Sequence, residues 1–331
     1  MKTSSTGAQA RCCLPVLAIF LAALSAVGAT VPRELQYQAL QLERSRQNHL
    51  LVHVHINGKP ALFGVDTGAP VSAVALKRRK HFGLAPLPKG SDLPAELRIN
   101  GGYNRVAIAH HLRIGALTLV DEPVVMIDLS GPARAAQEYE EEELDGILGA
   151  DILFPTEAVL DCGKGILFMK VDPDAKESVP GIGEGGAWTR VPIRVTRGGN
   201  LYVDCKLNSK SAQLMLDTGA FTTLIQSSFL ADMHLKMRET PFTSGAVNLD
   251  DRNVQLTTIR RFAVGHLVAG QFLFGNFTVR DKEVGVMDLT GLIQGELLKG
   301  VPPVAGLLGS EFLRRNHAVI DFGNAALYLR R

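Results

Sequence analysis

Cysteine, aromatic residues and excess charge are all scarce in this chain of 331 residues. It has 4 cysteines, 6% aromatic residues, and 35 Lys and Arg against 33 Asp and Glu. Cys12 and Cys13 lie near the start, so the rest of the chain cannot form a disulfide scaffold, although one bridge between Cys162 and Cys205 stays open. The sequence also has no Cys-x-x-Cys pair for zinc or redox chemistry. The small net charge argues against binding nucleic acid or an anionic membrane through overall charge.

Long apolar runs are absent from the sequence after its first thirty residues. The first segment has Lys2 and Arg11 ahead of an uncharged apolar run from Cys12 to Ala29. This pattern is typical of a signal peptide, with small residues before a cut ahead of Thr30. We therefore expect residues 1–29 to be removed and the product to be exported, to a periplasm or to the medium, without stable membrane insertion. The alternative is a membrane anchor formed by an uncleaved signal.

What the chain does contain is an internal duplication. The segment 48–68 reads NHLLVHVHINGKPALFGVDTG, and the segment 200–219 reads NLYVDCKLNSKSAQLMLDTG. Further on, GILGADIL at 146–153 corresponds to GLLGSEFL at 306–313. The offset between copies grows from 151 to 160, and we place the extra residues of the second copy around Ala269 to Phe277. Two copies of one unit therefore make up the chain after residue 47.

Each copy has the pattern of a β structure. Val52, Val54 and Ile56 alternate with polar residues, and Asn57-Gly58 is a strong hairpin turn. Together with 33 glycines and few aromatic residues, this predicts a mainly all-β protein with short helices at 76–82 and 151–154. We assign a first lobe to 48–170, a linker to 171–188 and a second lobe to 189–331. Residues 30–47 could form an amphipathic helix of unknown role.

The tetrapeptide Asp-Thr-Gly-Ala occurs at the same place in both copies, at 66–69 and 217–220. One such motif is a common turn, but two with their flanking strands indicate paired chemistry. Two carboxyl groups held about 3 Å apart cannot both ionise, so Asp66 and Asp217 would share one proton. The pair would then hold a base beside an acid, which is what hydrolysis of a peptide bond by an activated water needs.

This pattern resembles the aspartic proteases, most closely the retropepsin-like branch and its bacterial secreted members. The resemblance implies two tandem retropepsin-like β-barrel lobes with pseudo-twofold symmetry in a pepsin-like architecture. It implies an aspartic endopeptidase that acts on peptide or protein substrates, with Asp66 and Asp217 as catalytic residues and no cofactor, metal or nucleic acid. It also implies supporting roles for the active-site loops and the later apolar-Gly loops, in which the two threonines reach across to the opposite loop: Thr67, Gly68, Ala69, Thr218, Gly219, Ala220, Ile147, Leu148, Gly149, Leu307, Leu308 and Gly309.

A protease of this type needs a cover over its substrate. The first copy has a Gly-rich hairpin tip between apolar stretches, and the second copy has a similar segment. We interpret both as flaps, and the ordinary hairpin turn stays the alternative. The flap candidates are Asn100, Gly101, Gly102, Tyr103, Ser244 and Gly245.

Two other motifs in the sequence lack the structural context that their usual function requires. The segment 181–186 satisfies G-x-G-x-x-G but lies in the linker without a preceding strand. His53 and His55 share one strand face without a third metal ligand. The remaining alternative function is a catalytically silent peptide-binding or scaffold protein on the same fold, and the oligomeric state stays open.

Overall fold

The computed structural model describes residues 37–99, 102–171, 179, 181–183, 188–196, 198–243, 253–265, 277–293 and 295–330. The predicted signal peptide and most of the predicted linker lie outside these ranges. Within them, no helix is both long enough and apolar enough to cross a membrane.

The first copy folds into a β lobe whose strands also reach into a sheet shared with the second copy. Its strands are β1 (Tyr37–Gln41), β2 (Glu43–Arg44), β3 (Leu50–Ile56), β4 (Lys59–Val65), β5 (Ala73–Ala75), β6 (Ala85–Pro86), β7 (Glu96–Ile99), β8 (Gly102–Ile114), β9 (Leu117–Ile127), β10 (Gly146–Leu148), β11 (Val159–Asp161) and β12 (Ile166–Lys170).

The second copy repeats this arrangement. Its strands are β13 (Thr189–Pro192), β14 (Arg194–Val195), β15 (Leu201–Leu207), β16 (Lys210–Asp217), β17 (Leu224–Gln226), β18 (Arg238–Thr243), β19 (Asn253–Val264), β20 (Phe277–Met287), β21 (Val304–Gly309), β22 (Val319–Asp321) and β23 (Ala326–Leu329).

Helices are short throughout the described residues. At the two places where the sequence predicts them, 76–82 and 151–154, the structure has a 3₁₀ turn followed by a helix and a single helix, respectively. The α-helices are α1 (Arg79–Phe82), α2 (Ser130–Glu138), α3 (Ala150–Leu153), α4 (Ser227–Leu230), α5 (Gly295–Leu298) and α6 (Ser310–Arg315), with 3₁₀ turns at Leu76–Arg78 and Ala231–Met233.

The sheet orders show the duplication. In the first lobe the order is β2-β3-β4-β10-β5-β9-β8-β6, and in the second it is β14-β15-β16-β21-β17-β20-β19-β18. The strands β3 and β15 also pair with β8 and β19, which closes each sheet on itself. The predicted all-β fold of two tandem barrel lobes is therefore confirmed.

A six-stranded sheet joins the lobes in the order β1-β12-β11-β22-β23-β13. At its centre β11 and β22 run antiparallel, with Leu160 opposite Ile320. Both side chains are fully buried. Each lobe thus supplies three strands, and the core continues from one lobe into the other.

Local sequence explains the tight hairpin that precedes the first Asp-Thr-Gly-Ala segment. Asn57 and Gly58 both have positive φ, 50° and 80°, as the favoured two-residue β-hairpin turn requires. The turn fixes the register of β3 against β4, so that Val52, Val54 and Ile56 all point into the core.

Residues 37–44 are not part of an amphipathic helix, and that interpretation was wrong. They form β1 and β2, and β1 pairs with β12 from Tyr37 to Gln41 at the edge of the shared sheet. The unpaired backbone groups of β12 offer a complete ladder of partners, and tertiary pairing of this kind outweighs a weak helical preference.

The extra residues of the second copy lie in one hairpin loop. Residues 115–116 join the paired ends of β8 and β9, whereas residues 265–276 join the paired ends of β19 and β20. Residues 266–276 lie outside the described part of the chain.

Cys162 and Cys205 are free thiols, and both are buried. Burial raises the pKa of Cys162 to about 12 and raises the pKa of Cys205 as well. Neither thiol is ionised at neutral pH, so both behave as small core residues.

Candidate active site

Two matched strand pairs carry the Asp-Thr-Gly-Ala loops to one place. Strand β4 ends at Val65 and pairs in parallel with β10, and β16 ends at Asp217 and pairs in parallel with β21. The Asp66 amide donates to the Leu148 carbonyl at 3.0 Å, which ties the first loop to the apolar-Gly loop of its own lobe. The apolar residues that precede each Asp are buried and fix its backbone.

The two threonines bind across the boundary between the lobes. The Thr67 amide donates to Thr218 Oγ1 at 3.0 Å, and the Thr218 amide donates to Thr67 Oγ1 at 3.1 Å. Each hydroxyl in turn donates to a carbonyl of the opposite strand, Leu216 at 3.0 Å and Val65 at 2.7 Å. Both side chains are fully buried, so these four hydrogen bonds hold the loops in one fixed arrangement.

The carboxyl groups of Asp66 and Asp217 lie close together, each against the glycine of the opposite loop. A Cβ atom added to Gly68 would lie 2.6 Å from Cγ of Asp217, and one added to Gly219 would lie 2.6 Å from Cγ of Asp66. Each glycine therefore makes room for the carboxyl group of the opposite lobe. The need to leave this space restricts the two positions to glycine more strongly than the tight turn does.

Burial dominates the electrostatics of the pair. It raises the pKa of Asp66, an effect opposed by the Gly68 amide, which donates to Asp66 Oδ1 at 2.8 Å. Burial, together with the negative charge of Asp66, raises the pKa of Asp217 well above its usual range. Two carboxyl groups so placed oppose each other's ionisation, so their titrations are coupled.

The aspartyl protease family profile matches two segments of the chain, residues 52–152 and 203–312. These segments cover more than half of the sequence, and each contains one Asp-Thr-Gly-Ala loop. The chain belongs to the aspartyl protease family. Both lobes are matched, as a duplicated unit requires.

Solved structures resemble this chain at low sequence identity. Basic 7S globulin from soybean is 12% identical with a TM-score of 0.50, over 89% of this chain and 95% of that one. The aspartic proteinase from Irpex lacteus is 14% identical with a TM-score of 0.48, over 89% and 97%. A search of curated protein sequences found no match.

The first lobe has a set of polar contacts behind its active-site loop, here called the brace, that the Asp-Thr-Gly-Ala motif did not reveal. The Asp151 carboxylate accepts from the Ser72 amide and hydroxyl, each at 2.7 Å. The Ser72 hydroxyl accepts from the Gly149 amide at 2.9 Å. A Cβ atom added to Gly149 would lie 2.8 Å from the Ala69 carbonyl oxygen, so the two loops pack backbone to backbone.

The second lobe repeats the brace with different side chains. Glu311 Oε2 accepts from the Thr223 amide at 2.9 Å and from its hydroxyl at 3.2 Å, and Thr223 Oγ1 accepts from the Gly309 amide at 3.3 Å. The sequence contains a signal for both braces. A hydroxyl residue and an acid recur at the offsets of the duplication, Ser72 with Thr223 and Asp151 with Glu311.

The flap candidates lie on two hairpins. In the first, β7 pairs with β8 up to Ile99 opposite Gly102, and Tyr103 is 74% exposed. In the second, β18 pairs with β19 up to Thr243 opposite Asn253. The remaining candidates lie outside the described residues: Asn100, Gly101, Ser244 and Gly245.

Proposed function

We propose that this chain is an exported aspartic endopeptidase that hydrolyses peptide bonds with a water activated by the Asp66 and Asp217 pair. The observation that carries the proposal is the close approach of two carboxyl groups, one from each lobe, behind loops locked by Thr67 and Thr218. A structural turn needs neither carboxyl group, and holding two of them close together costs free energy. That cost is expected at a site that needs an acid and a base side by side.

The chemistry follows from the shared proton. The ionised carboxyl takes a proton from water while the resulting hydroxide adds to the carbonyl carbon of the substrate. The protonated carboxyl donates its proton to the carbonyl oxygen, giving a tetrahedral diol. The first carboxyl then returns its proton to the amide nitrogen while a hydroxyl of the diol gives its proton to the other carboxylate. The carbon–nitrogen bond breaks to leave a carboxylic acid and an amine, and the pair again holds one proton.

We also propose that the two hairpins close over the bound peptide and exclude water. In support, Leu97 and Ile99 of the first hairpin pack against the same apolar cluster as Ala69 and Val71, which follow Asp66 in the chain. The hairpin and the active-site loop are thus linked through one small core.

Asp66→Asn and Asp217→Asn should each lower kcat/KM by at least about a thousandfold, because the two carboxyl groups act as a unit. Cleavage of a mixed peptide library, followed by mass spectrometry, measures this loss whatever sequence the enzyme prefers to cut. Asp121→Asn is the matched control, since Asp121 is exposed and pairs only with His110 among the contacts of the described residues.

Folding is checked alongside by circular dichroism and thermal melting. A folded Asp66→Asn variant that cleaves as fast as the parent would contradict the proposal. A parent protein that binds library peptides but cleaves none would favour the silent peptide-binding alternative.

Export rests on residues 1–29, which lie outside the described part of the chain. Mass spectrometry of protein from the periplasm or the medium should find an N-terminus at Thr30. Recovery of the chain in the membrane fraction with Met1 or residue 2 retained would instead support the uncleaved anchor.

A further inference from the structure

A cavity of about 260 Å³ lies in the first lobe between α2 and the 3₁₀ turn that follows β5. Leu76 lines it from the turn, Ala133 lines it from α2, and Asp128, Leu129 and Ser130 line it where β9 leads into α2. Its lining residues fall within 76–77, 128–137 and 143, away from the active-site loops. A single water needs only about 30 Å³, so the cavity has room for an organic group.

The second lobe has larger side chains at two equivalent positions. Gln226 and Ile293 stand where the first lobe has Ala75 and Ala133, at the two offsets of the duplication. Ala75 and Gln226 end β5 and β17, and each pairs in parallel with the last residue of β9 or β20. The amides of Ala133 and Ile293 each donate to the leucine carbonyl four residues earlier, at 3.0 and 2.8 Å. The backbones therefore match, and two alanines leave room in the first lobe that buried side chains take up in the second.

The side-chain amide of Gln226 is held by three groups. Its Oε1 accepts from the Leu289 amide at 2.5 Å. Its Nε2 donates to Asp288 Oδ1 at 3.3 Å and to Thr290 Oγ1 at 3.4 Å. The Thr290 amide also donates to Asp288 Oδ1 at 2.9 Å, which fixes that carboxylate. One carboxamide thus satisfies a backbone donor, a carboxylate and a hydroxyl together.

The first lobe keeps these three groups without the side chain that joins them. The Ser130 amide donates to Asp128 Oδ1 at 2.9 Å, as in the second lobe. Leu129 is 3% exposed, yet its amide donates to no group in the described part of the chain. A buried amide without an acceptor costs free energy, and the methyl group of Ala75 cannot supply one.

We propose that this cavity binds a primary carboxamide, the group at the end of a glutamine side chain, in the way that the second lobe holds Gln226. The carboxamide oxygen accepts from the Leu129 amide, and its nitrogen donates to Asp128 Oδ1 and Ser130 Oγ. The site is separate from the carboxyl pair, and the proposal does not depend on peptidase activity.

The lining of the cavity favours this ligand over charged ones. A carboxylate lacks the donor and is repelled by Asp128, and an ammonium group lacks the acceptor that the Leu129 amide needs. Lys77 pairs with Glu143 at the rim, so these two charges neutralise each other. Leu76, which is 54% exposed, offers an apolar surface to the methylene groups of the ligand. Free glutamine and a glutamine residue of a peptide both carry this chemistry.

NMR of the full chain labelled with ¹⁵N-leucine tests binding at the Leu129 amide, which is assigned by its loss in Leu129→Met. Propionamide should move this resonance downfield in a saturable way, with the weak affinity expected of a small ligand. Propionate, which lacks the donor, should not. L-glutamine and N-acetyl-L-glutamine N-methylamide then show whether the amino acid or the peptide residue binds more tightly. No saturable shift with any of the three amides would overturn the proposal, since water or the Gln137 side chain would then satisfy the Leu129 amide.

Exchange of side chains between the lobes provides the second test. Ala75→Gln, which installs the side chain of the second lobe, should weaken propionamide binding by at least about tenfold. Gln226→Ala opens the equivalent space in the second lobe, so it should lower the melting temperature. Propionamide should then raise the melting temperature of Gln226→Ala by more than it raises that of the parent. A folded Ala75→Gln variant that binds like the parent would overturn the proposal, and so would a Gln226→Ala variant that propionamide does not stabilise.

Discussion

Ala69 and Ala220, next to the glycines of the two loops, leave the carboxyl pair with backbone donors on its flanks. The Gly68 amide donates to Asp66 at 2.8 Å and the Ala220 amide donates to Asp217 at 2.9 Å. The methyl side chains of Ala69 and Ala220 cannot donate a further hydrogen bond to either carboxylate. The pKa of both carboxyl groups is therefore raised by burial without a hydroxyl to oppose it.

Ala69→Ser and Ala220→Ser should each shift the pH–rate profile to lower pH. A hydroxyl that donates to the carboxylate stabilises the ionised form, lowers both pKa values of the pair and so lowers the range in which one proton is shared. The profile of kcat/KM on a peptide substrate measures the shift. Ala116→Ser, on an exposed hairpin turn, serves as control, and identical profiles for all four proteins would show that this position does not tune the pair.

The sequence predicted the residues of the site that repeat with an obvious motif. Asp66 and Asp217 stand in duplicated tetrapeptides, so chemistry and symmetry point to them together. The bond between Ser72 and Asp151 escaped because it joins residues far apart in the chain, although Asp151 lies in the repeated segment GILGADIL.

Strands β9 and β20 are equivalent elements that differ in one buried charge. Lys282 of β20 is 9% exposed and forms an ion pair with Glu311, the acid of the second brace. The equivalent residue of β9 is Glu122, which faces Asp151, the acid of the first brace. Burial, with a contribution from Asp151, raises the pKa of Glu122 to about 7.

This difference predicts how stability depends on pH. Glu122 ionises near 4.5 when unfolded and near 7 when folded, so its favourable contribution is complete below 4.5 and is lost as pH rises through 7. Glu122→Gln should remove this loss, which is on the order of 1 kcal/mol for a half-exposed carboxyl group. Glu122→Lys should raise the melting temperature at about pH 8 by restoring the pairing seen in the second lobe.

Thermal melting between about pH 5 and pH 8 measures both effects, with Glu138→Gln on the exposed face of α2 as control. Parallel pH dependence in the parent and in Glu122→Gln would contradict this account of β9.

Strands and turns that are set by neighbouring residues could be predicted from the sequence. Strands that depend on pairing with a distant segment could not. The hairpin of β3 and β4 follows from alternation and from the Asn57-Gly58 turn, which act within a few residues. Strand β1 exists because β12, more than a hundred residues away, offers it an edge. A pattern read along the chain contains no information about that edge.

The shared sheet makes the molecule one cooperative body. Across the boundary the Cys162 amide donates to the Ala318 carbonyl at 2.8 Å, and the Phe322 amide donates to the Ala158 carbonyl at 3.0 Å. The ring of Phe154 also contacts the ring of Phe322 edge to face. Backbone pairing and apolar packing therefore both cross from lobe to lobe.

Leu160→Ala should lower the free energy of unfolding by about 2–5 kcal/mol, because the side chain is fully buried at the boundary. Denaturant titration should still show a single transition for both lobes. Leu93→Ala is the control, since Leu93 is 45% exposed. Two separate transitions in the parent protein would contradict a single cooperative body, and peptidase activity in an isolated half would contradict the shared site.

The order in which the chain is made also sets when the carboxyl pair is complete. Chains leave the ribosome from the N-terminus, and early lobes fold as they emerge. Strands β22 and β23, which complete the sheet between the lobes, are the last two strands in the described part of the chain. A nascent chain, or a fragment released before Asp217, holds one carboxyl group where two are needed. The carboxyl pair on which the proposed activity depends is therefore complete only after the second lobe has been made.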